Sequence, residues 1–127
     1  MLATDLPTAV GGEDSAVTPS WLLRAGLASC VTTRIAMAAA VEGIVLAELE
    51  IVATSRSDVR GLLDMVGGDG ERISAGPFDV QLHVKIGASD GTSAERLHSL
   101  VERCHRCSPV SSAVQDATPI GLKIEVV

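Results

Sequence analysis

Residues 18–42 read TPSWLLRAGLASCVTTRIAMAAAVE, and this stretch decides the fold. Thr18 can cap a helix with its hydroxyl, and Pro19 suits the first helical position because no N–H is needed there. Gly43 supplies the end of the helix. The sequence therefore predicts one long helix over 19–42. Its surface is apolar nearly all round, so other elements must cover it.

This helix is predicted to be buried in a soluble protein rather than to cross a membrane. Arg24, Arg34 and Glu42 interrupt its apolar surface, and charges are costly inside a bilayer. The chain starts without a basic region ahead of an apolar segment, so no secretory signal is predicted. Three cysteines, an odd number, fit a reducing compartment. We therefore expect a cytoplasmic protein.

The composition limits the possible partners. The 127 residues suit a single domain over 1–127, with an irregular segment at 1–17. Hydrophobic residues make up 46% of the chain, which excludes a disordered protein. The net charge is −6, and one Trp and one Phe are the only aromatic residues. Nucleic acids and anionic membranes are therefore not expected partners, since both attract basic proteins.

The remaining periodic segments predict an α+β fold. Apolar and polar residues alternate over 44–54, 78–86 and 120–127, as in half-buried strands. An amphipathic helix is predicted over 92–107, opened by a capping box of Thr92 and Glu95. Short helical turns are predicted at 61–66 and 111–116. The long helix would pack on an antiparallel sheet, and because three strands cannot cover it, a homodimer is expected.

The cysteines allow more than one interpretation. Cys30 lies mid-helix, where a free cysteine often packs as a small hydrophobe, but Arg34 is one turn away on the same face. Arg24 lies on a different face. Cys104 and Cys107 form a C-x-x-C at a helix end, whereas redox pairs of the thioredoxin type favour a helix start. Zinc needs four ligands, so neither a metal nor another cofactor is predicted.

Three stretches together resemble the OsmC/Ohr family. They are PSWLLRAGLASC at 19–30, DVRGLL at 58–63 and CSPVS at 107–111, and the resemblance extends over residues 8–127. The family implies an intertwined homodimer in which long central helices pack between sheets from both subunits. Its active sites lie at the dimer interface, which would explain the apolar surface of the helix.

The resemblance also implies a thiol-dependent peroxidase. In this family a cysteine thiolate attacks the distal oxygen of an organic hydroperoxide and becomes a sulfenic acid, and a second cysteine condenses with it to a disulfide. By position, Cys30 would be the peroxidatic residue and Cys107 the resolving one. An external dithiol, such as a lipoylated protein, would reduce the disulfide.

The sequence departs from the family pattern at three places. Ser20 stands where a glutamate is usual, and residues 1–17 hold no arginine, so Arg34 or Arg24 would stabilise the thiolate. The leading strands of the family are expected to be short or missing. Cys107 is one residue before the usual position, which leaves Cys104 as an alternative resolving residue. The alternative function is a non-catalytic dimer that binds an apolar small molecule or is purely structural.

Overall fold

The computed structural model describes residues 1–117 and 120–127. A short 3₁₀ turn, Thr8–Val10, precedes four α-helices and three strands in these residues. The helices and strands are, in chain order, α1 (Pro19–Val41), β1 (Leu46–Arg56), α2 (Val59–Leu62), β2 (Phe78–Ala88), α3 (Ala94–Arg106), α4 (Pro109–Gln115) and β3 (Ile120–Val126).

The strands form one sheet in the order β1-β2-β3. β1 and β2 are antiparallel, with Ile51 opposite Val84, whereas β2 and β3 are parallel, with Val84 opposite Ile124. The sheet is therefore mixed, and the prediction of an antiparallel sheet was wrong for the second pair. The reason is the connection: α3 and α4 lie between β2 and β3, and a helical crossover of this kind joins parallel strands.

The core lies between one face of this sheet and the helices α1 and α3. α1 contributes a stripe of residues at helical spacing, Leu27, Val31, Ile35 and Ala39, all of which are buried. Alternate residues of β2 point toward this stripe and belong to the same buried cluster. The other members of the core are Ile44, Val80, Leu82, Val84, Ile86, Leu97, Leu100, Val101 and Cys104.

Helix α1 is covered on one side only within this chain. Trp21 keeps 48% of its surface exposed, Met37 keeps 56% and Val41 keeps 88%. The apolar surface that the sequence indicated is therefore present, but the three strands leave much of it open. By length and composition alone α1 could also cross a membrane, a property shared by core helices of soluble proteins.

The helix starts follow local signals. The Thr18 hydroxyl accepts the Trp21 N–H at 3.1 Å, which confirms the predicted cap of α1. α3 begins one residue later than predicted: Ser93, not Thr92, is the N-cap, because Thr92 donates its hydroxyl to Asp90 instead. Predicted helical turns also shift, with α2 at Val59–Leu62 rather than 61–66.

Candidate active site

Cys30 lies on α1 facing the start of α4. Its neighbours Leu27 and Val31 belong to the core, while Cys30 itself is half-buried. The hydroxyl of Ser108 and the backbone N–H of Val110 lie within hydrogen-bonding reach of its sulfur. Both groups donate to a thiolate, so they lower the pKa of Cys30, with Ser108 having the larger effect.

The start of α4 explains why these donors are available. Ser108 caps the helix, and Pro109 at the first position has no N–H, so Val110 supplies the first backbone donor. The Ser108 oxygen accepts the Ser111 N–H at 3.4 Å, which leaves its own hydrogen for the cysteine. Ser108 is fully buried, so water does not compete strongly for this hydrogen.

Arg34 adds a positive charge one turn along α1. Its guanidinium lowers the pKa of Cys30 further, although less than the two hydrogen bonds do. The Nε atom of Arg34 is buried and has no hydrogen-bond partner among the described residues. Arg24 faces elsewhere and donates from Nη1 to the Ser55 hydroxyl on β1 at 3.2 Å. The structure thus brings Arg34, but not Arg24, to Cys30.

The other two cysteines belong to the end of α3. Cys107 is the C-cap of α3 and is exposed, directly before Ser108. Cys104 is buried, donates its thiol to the Arg34 carbonyl at 3.5 Å, and has a pKa raised chiefly by burial. All three cysteines are free. Cys107 and Arg34 line the same cavity, so Arg34 connects the environments of Cys30 and Cys107.

Ser108 and Val110 were not among the site residues predicted from the sequence. The signal was present, since Ser108-Pro109 repeats the pattern of Thr18-Pro19 that predicted the start of α1. In the sequence this pair served only as part of the stretch at 107–111 that resembles the family. Ser20 is exposed near the start of α1.

Comparison with known proteins decides the family. The family model for OsmC-like proteins matches residues 12–123. The chain belongs to the OsmC-like protein family. No curated protein matches it. The family expected from the three sequence stretches is therefore confirmed.

Solved structures of OsmC-like proteins share this fold. An organic hydroperoxide resistance protein OsmC from Legionella pneumophila has 21% sequence identity and a TM-score of 0.68. The match covers 98% of this chain and 81% of the Legionella chain. An OsmC-like protein from Mycoplasma pneumoniae has 18% sequence identity and a TM-score of 0.74, and the match covers 96% of this chain and 78% of the Mycoplasma chain. An organic hydroperoxide resistance protein from Elizabethkingia anophelis has 22% identity and a TM-score of 0.71, also over 96% and 78%. At these identities the likeness shows the fold.

Proposed function

We propose that this OsmC-like protein is a thiol-dependent peroxidase that reduces organic hydroperoxides at Cys30. The observation that supports this most is the convergence of Ser108, Val110 and Arg34 on the Cys30 sulfur, each of which lowers its pKa. The thiolate, not the thiol, is the nucleophile in such chemistry. A cysteine that served only as packing would gain nothing from these three groups.

In the first step the Cys30 thiolate attacks the distal oxygen of the hydroperoxide. An S–O bond forms, the O–O bond breaks, and the alkoxide leaves and takes up a proton as an alcohol. Cys30 is then a sulfenic acid. The Arg34 guanidinium supports this step because its positive charge stabilises both the attacking thiolate and the negative charge on the departing oxygen.

In the second step a thiol must attack the sulfenic sulfur, releasing water and forming a disulfide. We assign this role to Cys107, which lies next to Ser108 and is exposed at the C-cap of α3. The Cα atoms of a disulfide lie within about 7 Å of each other. Because Cys107 ends its helix, it can rotate toward Cys30 without breaking the helix interior. An external dithiol then returns both cysteines to the thiol form.

The substrate class follows from the relatives and from the surface of α1. The Legionella and Elizabethkingia proteins are described as organic hydroperoxide resistance proteins. The exposed side of α1, which includes Trp21, Leu23 and Met37, is apolar and suits the alkyl part of such a substrate. Hydrogen peroxide lacks this part and should be the poorer substrate.

The same exposed surface supports a homodimer. α1 buries only its Leu27–Ala39 stripe in one chain, and its other apolar side chains would be covered by a second copy. Light scattering at micromolar concentration should give twice the chain mass of 13.1 kDa. A stable folded species of the single-chain mass would contradict the dimer.

The function is tested by consumption of cumene hydroperoxide with a dihydrolipoyl donor as reductant. Cys30→Ser should abolish turnover, whereas Cys107→Ser should still consume one equivalent and then stall. Ser112→Ala is a matched control, since this exposed serine on α4 binds the Arg106 carbonyl and should not affect turnover. Unchanged turnover in Cys30→Ser would refute the peroxidase. The remaining function would then be a non-catalytic dimer that binds an apolar small molecule.

A further inference from the structure

A second group of thiols and charges lies in a groove between α1 and α3, here called the α1–α3 groove. Its cavity has a volume of about 400 Å³. Its charged and thiol-bearing lining residues are Arg34, Glu42, Arg103, Cys104, Arg106 and Cys107.

The two cysteines of this groove are placed for a disulfide. They are three positions apart at the end of α3, and helical geometry puts such Cα atoms about 5 Å apart, within the disulfide range. Side chains at this spacing have Cβ atoms about 5–6 Å apart, slightly too far, so the last turn must tighten. Cys107 permits this because it is already outside the helix, with φ −96° and ψ 8°.

The pair has the asymmetry of an exchange site. Cys107 is exposed and can be reached by a small disulfide in solution, whereas Cys104 keeps only 2% of its surface exposed. An incoming molecule can therefore react at Cys107 but not at Cys104. The buried thiol is left to attack from within the protein.

The groove is positively charged although the whole chain has a net charge of −6. Three guanidinium groups face one carboxylate, and that carboxylate, on Glu42, is already paired with Arg103. The ion pairs of the described residues do not include Arg106. The Nε atom of Arg34 is buried and has no hydrogen-bond partner among these residues. The groove thus offers unneutralised positive charge beside an exposed thiol.

From this arrangement we propose that Cys104 and Cys107 form a second thiol–disulfide exchange site, which reacts with small disulfides bearing carboxylates. The exchange does not need Cys30, although it shares Cys107 and Arg34 with the proposed peroxidase. The arginines attract the carboxylates and hold the disulfide against Cys107.

The exchange proceeds in two balanced steps. The Cys107 thiolate attacks one sulfur of the bound disulfide, forming a mixed disulfide and releasing the first small thiolate. The Cys104 thiolate then attacks the Cys107 sulfur, closing the Cys104–Cys107 bond and releasing the second. The two released thiolates take up the two protons that the cysteines gave up. The protein loses two electrons, and the small disulfide gains them.

The position of the pair at a helix C-terminus favours the Cys104–Cys107 disulfide over the two free thiols. The helix dipole disfavours negative charge at this end, and burial raises the pKa of Cys104. The Cys104 thiolate is therefore not stabilised as it would be at a helix start. A pair whose reduced form lacks such stabilisation holds its disulfide more firmly. The groove should accordingly donate electrons readily to its ligand.

The test uses the full chain with Cys30→Ser, so that the peroxidase reaction plays no part. The probes are oxidised glutathione, which bears carboxylates, and cystamine, which bears amines. The two probes differ in their intrinsic reactivity toward thiols. The rate of each probe with the protein is therefore divided by its rate with a small free thiol, and this ratio is the relative rate. With oxidised glutathione, mass spectrometry should show loss of two hydrogens and a Cys104–Cys107 cross-link, at a relative rate roughly tenfold above that with cystamine.

Further variants separate the two thiols and the charge. Adding Cys104→Ser should stop the reaction at a mixed disulfide on Cys107. Adding Arg106→Gln should slow the reaction with oxidised glutathione severalfold and should not slow the reaction with cystamine, because the cationic probe meets less repulsion. Arg72→Gln is the control, because Arg72 pairs with Asp64 on an exposed loop outside the groove. Absence of the cross-link, or equal relative rates for the two probes, would overturn the proposal whatever the outcome of the peroxidase assay.

Discussion

The hydroxyl of Ser108, at the start of α4, lies within hydrogen-bonding reach of the sulfur of Cys30, in the middle of α1. This contact brings together two of the three sequence stretches on which the family resemblance rests. It also puts a serine, rather than a cysteine, beside the Cys30 sulfur. The chemistry of Cys30 therefore depends on a group that can stabilise its thiolate but cannot form a disulfide with it.

Removing this hydroxyl should make Cys30 less reactive. In Ser108→Ala the largest contribution that lowers the pKa of Cys30 is lost, so the pKa should rise. The rate of alkylation of Cys30 by iodoacetamide, followed against pH, should have its midpoint at higher pH and fall severalfold at neutral pH. Loss of the cap also costs about 1 kcal/mol of unfolding free energy.

The pH profile separates these two effects. A purely structural change would lower the fraction of reactive protein without moving the midpoint. Ser112→Ala, in which an exposed serine of the same helix is changed, should leave the profile as it is. An unmoved midpoint in Ser108→Ala would show that the hydroxyl does not act on the thiolate.

Restoring a cysteine at this position should produce a direct disulfide. In Ser108→Cys the new sulfur takes the place of a hydroxyl that already reaches Cys30, so one equivalent of cumene hydroperoxide should link the two residues. Peptide mapping without reduction detects the bond. Ser112→Cys, on the exposed side of α4, should give no such link. If both variants cross-link to Cys30 equally, the assigned contact is not specific.

The two arginines of α1 should behave differently. Arg34→Gln removes a charge that lowers the pKa of Cys30, so alkylation at neutral pH should slow, though less than in Ser108→Ala. Arg24→Gln should have little effect because Arg24 donates to Ser55 on β1. Equal slowing in both variants would contradict the placement of Arg34 as the nearer cation.

Much of the fold could be predicted because its signals are local. Thr18-Pro19 and Gly43 mark the ends of α1, and alternation marks the strands. The direction of β3 could not be predicted, since it depends on how α3 and α4 cross the sheet. The role of Ser108 was missed for a similar reason: its pattern predicts a helix start, but only folding places that start against Cys30.

Asp90 predicts how stability depends on pH. Its carboxylate accepts the Val45 N–H at 2.8 Å and the Thr92 N–H at 2.9 Å, and these bonds, with the Thr92 hydroxyl, lower its pKa to about 2. Because the folded pKa lies below that of the unfolded chain, the contribution is fully present above about pH 4. It is lost as the pH falls toward about 2.

Urea unfolding at several pH values tests the direction of this pH dependence of stability. Asp90→Asn should be less stable than the unmodified protein at neutral pH, and the difference should shrink as the pH falls from about 4 to about 2. Asp116→Asn, in which another exposed carboxylate is changed, is the matched control. A difference that grows in acid would contradict the assigned bonds.

The central claim is that Cys30 is the thiolate that reacts with hydroperoxides, and trapping its sulfenic acid tests this most directly. The protein is treated with one equivalent of cumene hydroperoxide in the presence of dimedone, and the three cysteine-containing peptides are compared by mass spectrometry. The account predicts that the dimedone label appears first on Cys30, and more slowly in Ser108→Ala. Label on Cys104 or Cys107 instead would contradict it, as would the absence of both a dimedone label on Cys30 and a disulfide that includes Cys30.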